Sequence, residues 1–213
     1  MNRLVLLITI AGSLATAILL STQLPPSLSQ SNSSNGMDHG VGHTSMTMSL
    51  GPADTEFDLR FLDGMTLHHQ GAVVMSEQIL QNSQRSELKQ FAQDIITAQQ
   101  AEIKDMQMWR ERWYPNAPTL PQAWNSEMGH MIFMSEEMKT AMRMDIPLGN
   151  LDQQFDLRFL DAMIVHHEGA LVMAKEGLEN SQRPEIQQLG REILATQQEE
   201  IEVMKQWRTK WYS

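Results

Sequence analysis

Two adjacent histidines, with a methionine three residues before them and another a few residues after, occur twice in this chain. One set is Met65, His68, His69 and Met75; the other is Met163, His166, His167 and Met173. Imidazole and thioether are neutral, polarisable donors, a combination that suits Cu(I) and Ag(I). Carboxylate-rich sets suit iron, manganese, magnesium and calcium, and zinc prefers thiolate, imidazole and carboxylate. A single buried histidine is more often a hydrogen-bonded part of a core than a ligand, and a single methionine is more often packing. Two adjacent histidines, duplicated and flanked by thioethers, favour a soft metal ion.

The two sets sit inside a longer repeat. Residues 57–114 and 155–212 align without a gap at an offset of 98, with 31 of 58 positions identical. A repeat of this kind means a repeated supersecondary element. Asp54 and Asp152 are short acidic residues just before each periodic stretch and read as helix N-caps. Phe61, Met65, His68, Ala72, Met75 and Ile79 then mark one face of an amphipathic helix, repeated by Phe159, Met163, His166, Ala170, Met173 and Gly177. Asn82-Ser83 and Asn180-Ser181 break the pattern: Asn to close one helix in the left-handed conformation, Ser to cap the next. Pro184 suits a first helical turn. A second stripe runs Leu88, Ala92, Ile95, Gln99, Glu102, Met106, Trp109 and Trp113, and again from Ile186 to Trp211. Each copy is therefore a hairpin of two helices roughly 40 Å long at 1.5 Å per residue. One hairpin cannot bury its own stripe, and two together can. The expected fold is all-α, a four-helix bundle spanning 54–213, with repeat one at 54–114, a connection at 115–151 and repeat two at 152–213.

This arrangement places Gln99 and Glu102 near the height of His68, and Gln197 and Glu200 near that of His166. The middle of the bundle is then polar, which is costly unless each group has a partner. Neighbouring residues on a helix point about 100° apart. His68 and His166 should face the axis, with His69 and His167 on its shoulder. A pair could grip one ion or reach across to the other repeat, and spacing leaves both open. Glu102 and Glu200 are expected behind the ligands, accepting a histidine N–H and setting its tautomer.

Formal charge is −10 with no basic block, which argues against nucleic acid. There is no cysteine, so neither a disulfide framework nor a thiolate site. No nucleophile stands with a base, so no catalysis is expected. Arg3 and the apolar run Leu4 to Leu20 read as an export signal over residues 1–29, either cleaved near Gln30 or kept as a membrane anchor. Residues 30–53 are rich in Gly, Ser, Asn and Thr and read as a disordered arm. Its Met37, His39, His43, Met46 and Met48 could collect copper weakly, including Cu(II). In the connection, Trp124 to Met144 reads as a Met-rich helix carrying His130, a further secondary candidate.

Two other readings use the same residues. A di-iron protein needs Glu on two helices and Glu-x-x-His on two more; Glu102 and Glu200 are present, but Glu127-Met-Gly-His130 is single and lies in the connection. A metal-free interaction module would use Trp109, Trp113, Trp207 and Trp211 for contacts, whereas tryptophans at bundle ends are more often packing.

The HH-x-GA-x-x-M element, the DLRFLD lead-in and the twin copies resemble a family of ferritin-like helical bundles from bacterial envelopes, once of unknown function, that includes periplasmic copper metallochaperones. The resemblance covers about residues 54–213. It implies a bundle holding monovalent copper or silver through His68-His69 and His166-His167. It also implies a role in copper resistance in the periplasm, with copper ions and copper efflux or sensor proteins of the envelope as partners.

Overall fold

The computed structural model describes residues 50–213, and they are largely helical. The signal segment, most of the arm, and its His39, His43, Met46 and Met48 lie outside the described residues. Four long helices dominate: α1 Phe57–Asn82, α2 Ser86–Trp113, α4 Phe155–Asn180 and α5 Pro184–Tyr212. Between the second and third of these lie β1 Gln122–Asn125, β2 His130–Phe133 and a short α3, Glu136–Arg143. Among the described residues no helix is long and apolar enough to cross a membrane.

α1 packs along α2, α4 along α5, and the two pairs meet through α1 and α4. The periodic stripes are what they bury. Phe61, Met65, His68, Ala72, Met75 and Ile79 have no exposed surface, and neither do Phe159, Met163, His166, Ala170 and Met173. The core has two apolar halves. One gathers the start of α1 with the second half of α4: Phe61 and Met65 beside Met173 and Ala174. The other gathers the end of α1 with the start of α4: Met75 and Ile79 beside Phe159 and Met163. The two central helices are thus antiparallel, and the histidines fall between the two apolar halves.

Contacts that hold the helices together recur at the same offset of 98. Arg183, at one helix–helix turn, bonds Asp58 at 3.0 Å and lies over Trp113. Arg85, at the other, pairs with Asp156 at 3.3 Å and lies over Trp211. Trp109 stacks on Trp113 and Trp207 on Trp211, so these rings are engaged inside the fold. Arg110 bonds Asp63 at 2.5 Å and Arg208 bonds Asp161 at 2.6 Å, tying each first helix to its second. The acidic and basic letters of the DLRFLD lead-in are therefore scaffold.

Several local expectations are corrected. Asp54 and Asp152 are not the N-caps; Glu56 and Gln154 are, without a side-chain cap bond. Each Asp instead accepts from the backbone N–H two residues on and from Arg60 or Arg158. Those arginines also bond the carbonyls of Leu50 and Pro52, or of Leu148 and Asn150. The last residues of the expected arm, from Leu50, thus belong to the folded body, and the repeat begins at a shared Leu-Gly-x-x-Asp rather than at Phe57. Asn82 and Asn180 remain helical. Ser83 and Ser181 close the following turn by accepting from the N–H of Arg85 and Arg183.

The expected helix from Trp124 to Met144 is instead an antiparallel hairpin followed by two turns of helix. Asn125 makes the turn, its side chain accepting from the N–H groups of Glu127 and Met128, and Gly129 closes it at a positive φ of 66°. Asn and Gly at such positions are turn formers for a physical reason: one mimics the backbone, the other tolerates the left-handed region. α3 is capped by Ser135 and ends at Met144, in the left-handed conformation.

Candidate metal centre

Halfway along α1 and α4, between the two apolar halves, His68 and His166 face each other with ring centroids 3.8 Å apart. His69 lies 6.5 Å from His68, and His167 lies 6.2 Å from His166. All four rings are fully buried, including the two placed on the shoulder from spacing alone. What covers the shoulder rings is the second helix of each pair: His69 Nε2 stands 2.6 Å from the Glu102 carboxylate, and His167 Nε2 stands 2.7 Å from that of Glu200. His166 Nε2 faces two acceptors, the carbonyls of His68 at 2.9 Å and Arg143 at 3.1 Å.

These partners assign the tautomers. Carbonyls and ionised carboxylates only accept, so Nε2 carries the proton in His69, His166 and His167. Nδ1 of all three is buried and has no partner. Neither nitrogen of His68 has one either. Gln99 Oε1, Gln197 Oε1 and Ser76 Oγ are likewise buried and unpartnered. A buried polar atom without a partner costs about 1–3 kcal/mol. Burial, and then the neighbouring imidazoles His166, His69 and His167, holds the proton affinity of His68 well below the usual histidine range. Burial, with His167 and His69, lowers that of His166 to about 3. At the middle of the centre, His68 and His166 are thus neutral imidazoles with free lone pairs.

The four methionines of the motif are distributed symmetrically. Met65 and Met173 belong to the apolar half on one side of the histidines, Met75 and Met163 to the half on the other. Among the described residues no three of His, Cys, Asp or Glu form a group placed to hold a metal ion. Glu102 and Glu200 are each engaged with a histidine. Glu127 and His130 are not on a helix at all: both are exposed at the β1–β2 turn, where the Nδ1–H of His130 donates to the Met128 carbonyl. His130 is not brought to the core.

Two features, one at the centre and one beside it on α1, escaped sequence reasoning. Arg143 contributes its backbone carbonyl from the end of α3, and it comes close because Gly71 leaves the space. The glycine after each histidine pair is the available signal. Asp63 is the other: buried under β1, it accepts from the Gln122 N–H as well as Arg110, and burial raises its carboxyl above the usual range.

Comparison with known proteins fits this description. The model of a domain of unknown function, DUF305, matches residues 19–110 and 58–208, and the chain belongs to that family. CopM in its Cu(I)-bound form is 35% identical, covering 73% of this chain and 98% of that one, with a TM-score of 0.58. CopM in a silver-soaked form is 33% identical over the same shares, again with a TM-score of 0.58. A DUF305 fragment from Deinococcus radiodurans is 28% identical, covering 75% of this chain and 99% of that one, at 0.53. Uncharacterized protein L153 of Acanthamoeba polyphaga mimivirus is 43% identical over 49 residues. The chain spans about a third of the length of that curated relative.

Proposed function

We propose that this protein binds Cu(I), for which Ag(I) is a surrogate, in the core of a ferritin-like four-helix bundle made of two repeated hairpins. His68 and His166 are the central donors. His69 and His167 offer Nδ1, while Glu102 and Glu200 hold their Nε2 protons and raise the basicity of the free nitrogen. Met65, Met75, Met163 and Met173 supply thioethers above and below. The observation that carries this reading is the pair His68–His166: two buried, neutral rings 3.8 Å apart with unpartnered lone pairs. Lone pairs left bare in an apolar core are what a soft cation without a hydration shell would satisfy. The likeness to CopM, whose structures hold Cu(I), Cu(II) and silver, supports the same metal.

We further read the protein as a copper chaperone and resistance factor of the periplasm, not an enzyme. It would take copper ions and pass them to efflux or sensor proteins of the envelope. Neutral donors put no negative charge on the ion, so release has no large electrostatic barrier. The test is anaerobic competition for Cu(I) and Ag(I) against a chelator, with zinc as control. Wild-type protein should hold Cu(I) and Ag(I) and ignore zinc. His68→Ala and His166→Ala should lose the site while keeping their helical circular dichroism. Equal competition by zinc, or unchanged affinity in both variants, would refute the assignment.

A further inference from the structure

The two repeats present the same side chains to different surroundings, and the difference lays a surface bare on the second. In the first repeat the chain leaves α2 at Tyr114, turns at Ala117 and packs β1 against α1. Arg110 Nη2 donates to the Pro118 carbonyl at 2.7 Å. Asp63 Oδ2 accepts from the Gln122 N–H at 2.9 Å. Trp124 lies against Gly51 and over Arg60, whose guanidinium carbon is 5.4 Å from the ring centre. Under this segment Leu59 is buried, and the side chains of Asp63 and Arg110 are 4% and 18% exposed.

At the offset of 98 the underlying residues all recur, as Gly149, Leu157, Arg158, Asp161 and Arg208. Asp161 and Arg208 form the same pair, at 2.6 Å, but their side chains are 47% and 56% exposed. Among the described residues, nothing accepts from Arg208 Nη2 and nothing donates to Asp161 Oδ2. Leu157 is partly exposed. A β-carbon on Gly51 would stand 2.5 Å from Trp124, whereas one on Gly149 would meet only Arg158, at 3.6 Å. Leu157, Arg208, Thr209 and Tyr212 line an open groove of about 260 Å³. Leu157 and Tyr212 also line a larger one of about 940 Å³ that passes Leu151 and Trp211. Donor, acceptor and aromatic notch are thus kept where no described segment of the chain lies on them.

We propose that this face of the second repeat docks an extended peptide of a partner protein, held as the first repeat holds residues 118–124 of its own chain. Arg208 reads a peptide carbonyl, and Asp161 reads the N–H four residues on, as Arg110 and Asp63 do for Pro118 and Gln122. These are main-chain contacts, so they select an extended conformation rather than a sequence. Two side chains add selectivity. Proline suits the carbonyl position, because its fixed φ favours extended chain and it has no N–H to leave unpaired. An aromatic residue six places later, where Trp124 stands relative to Pro118, fills the notch at Gly149 and lies over the Arg158 cation. The assignment stands apart from the copper reading, since it uses none of the residues of the histidine centre.

The probe is a synthetic peptide with the sequence of residues 115–125, acetylated and amidated. Fluorescence anisotropy of a labelled copy reads its binding to the full-length protein. Saturable binding is expected, with amide NMR shifts gathered at Leu157, Asp161 and Arg208. Arg208→Ala and Asp161→Ala should each weaken it about ten-fold, as loss of a charge-assisted hydrogen bond does. Replacing the peptide's tryptophan by alanine should weaken it by about as much. Both protein variants change half-exposed side chains, so the helical circular dichroism should be retained. Arg191→Ala, exposed elsewhere on α5, is the control and should bind as wild type does. Absence of saturable binding, equal affinity for a scrambled peptide, or unchanged affinity in both groove variants overturns the proposal. So does a wild-type dimer in sedimentation that Arg208→Ala dissolves, because the groove then belongs to a second copy of this chain.

Discussion

The backbone carbonyl of Arg143 occupies the space that a β-carbon on Gly71 would need. The glycine in the HH-x-GA motif is therefore a docking notch for the end of α3, one turn from the histidines. The obstacle is backbone rather than the tip of a flexible side chain, so it cannot step aside cheaply. Gly71→Ala should push α3 off α1 and withdraw the acceptor from His166. Overpacking of this kind costs about 1–3 kcal/mol, offset in part by the better helix propensity of alanine. Urea unfolding followed by circular dichroism should show that loss. An unchanged midpoint would mean that α3 is not seated at Gly71.

Acid should weaken the fold through the central histidines. Both His68 and His166 are held neutral when folded and regain ordinary proton affinity when unfolded. Above about pH 6.5 neither state is protonated at these rings and the effect vanishes. As pH falls below 6.5 the unfolded chain takes up protons that the folded one refuses. Stability drops by about 1.4 kcal/mol per pH unit for each histidine. For His166 the fall continues to about pH 3. The raised carboxyl of Asp63 acts in the opposite sense, but only from about pH 4 upward to its own value. Urea midpoints at pH 7.5, 6 and 5 should decline, and the decline should be shallower in His166→Gln. A flat profile in the wild type would show that these rings are open to water.

How much of this is legible in the chain depends on range. The stripe from Phe61 to Ile79 has a period of 3.6 over five turns, and every member is buried. The presence of imidazoles and a thioether on that buried stripe reads equally directly from His68 and Met65. The burial of His69 does not, because a shoulder position becomes interior only when Glu102 on the next helix covers it. The connection misleads for a different reason. Its methionines favour a helix, yet Asn125 and Gly129 form a four-residue turn whose local hydrogen bonds outweigh that weak propensity. The strap at Leu50 is too short to show a period. Only the matching Leu148-Gly149 and the paired Arg60 and Arg158 reveal it.

That strap yields an asymmetry between the copies. Arg60 is 1% exposed at its side chain and Arg158 is 34% exposed, although both bond the same set of acceptors. Arg60 also lies over Trp124 and against the Met131 sulfur. Removing a buried charged donor strands its acceptors at a cost of about 3 kcal/mol or more. Removing a partly solvated one costs about 1 kcal/mol or less. Arg60→Met should therefore lower stability by about three times as much as Arg158→Met in the same urea assay. Equal losses would mean that the β1–β2 hairpin does not shield Arg60 in solution.

The carboxylates behind the shoulder histidines offer the most specific test of the centre. Glu102 and Glu200 hold the Nε2 protons of His69 and His167, and this leaves Nδ1 of each free and unpartnered. A glutamine in either place keeps the size and can still accept through its oxygen, so the helices should stay packed. It carries no charge, however, and supports the histidine's basicity less well. Substitutions behind a metal-binding histidine typically cost 10–100-fold in affinity, so each of Glu102→Gln and Glu200→Gln should weaken Ag(I) binding by about ten-fold or more. The thermal midpoint should move little. Silver competition against a chelator reads the first quantity, and circular dichroism melting the second. If affinity is unchanged in both variants while stability falls, the carboxylates serve only to hold helices together, and His69 and His167 do not contribute to the ion.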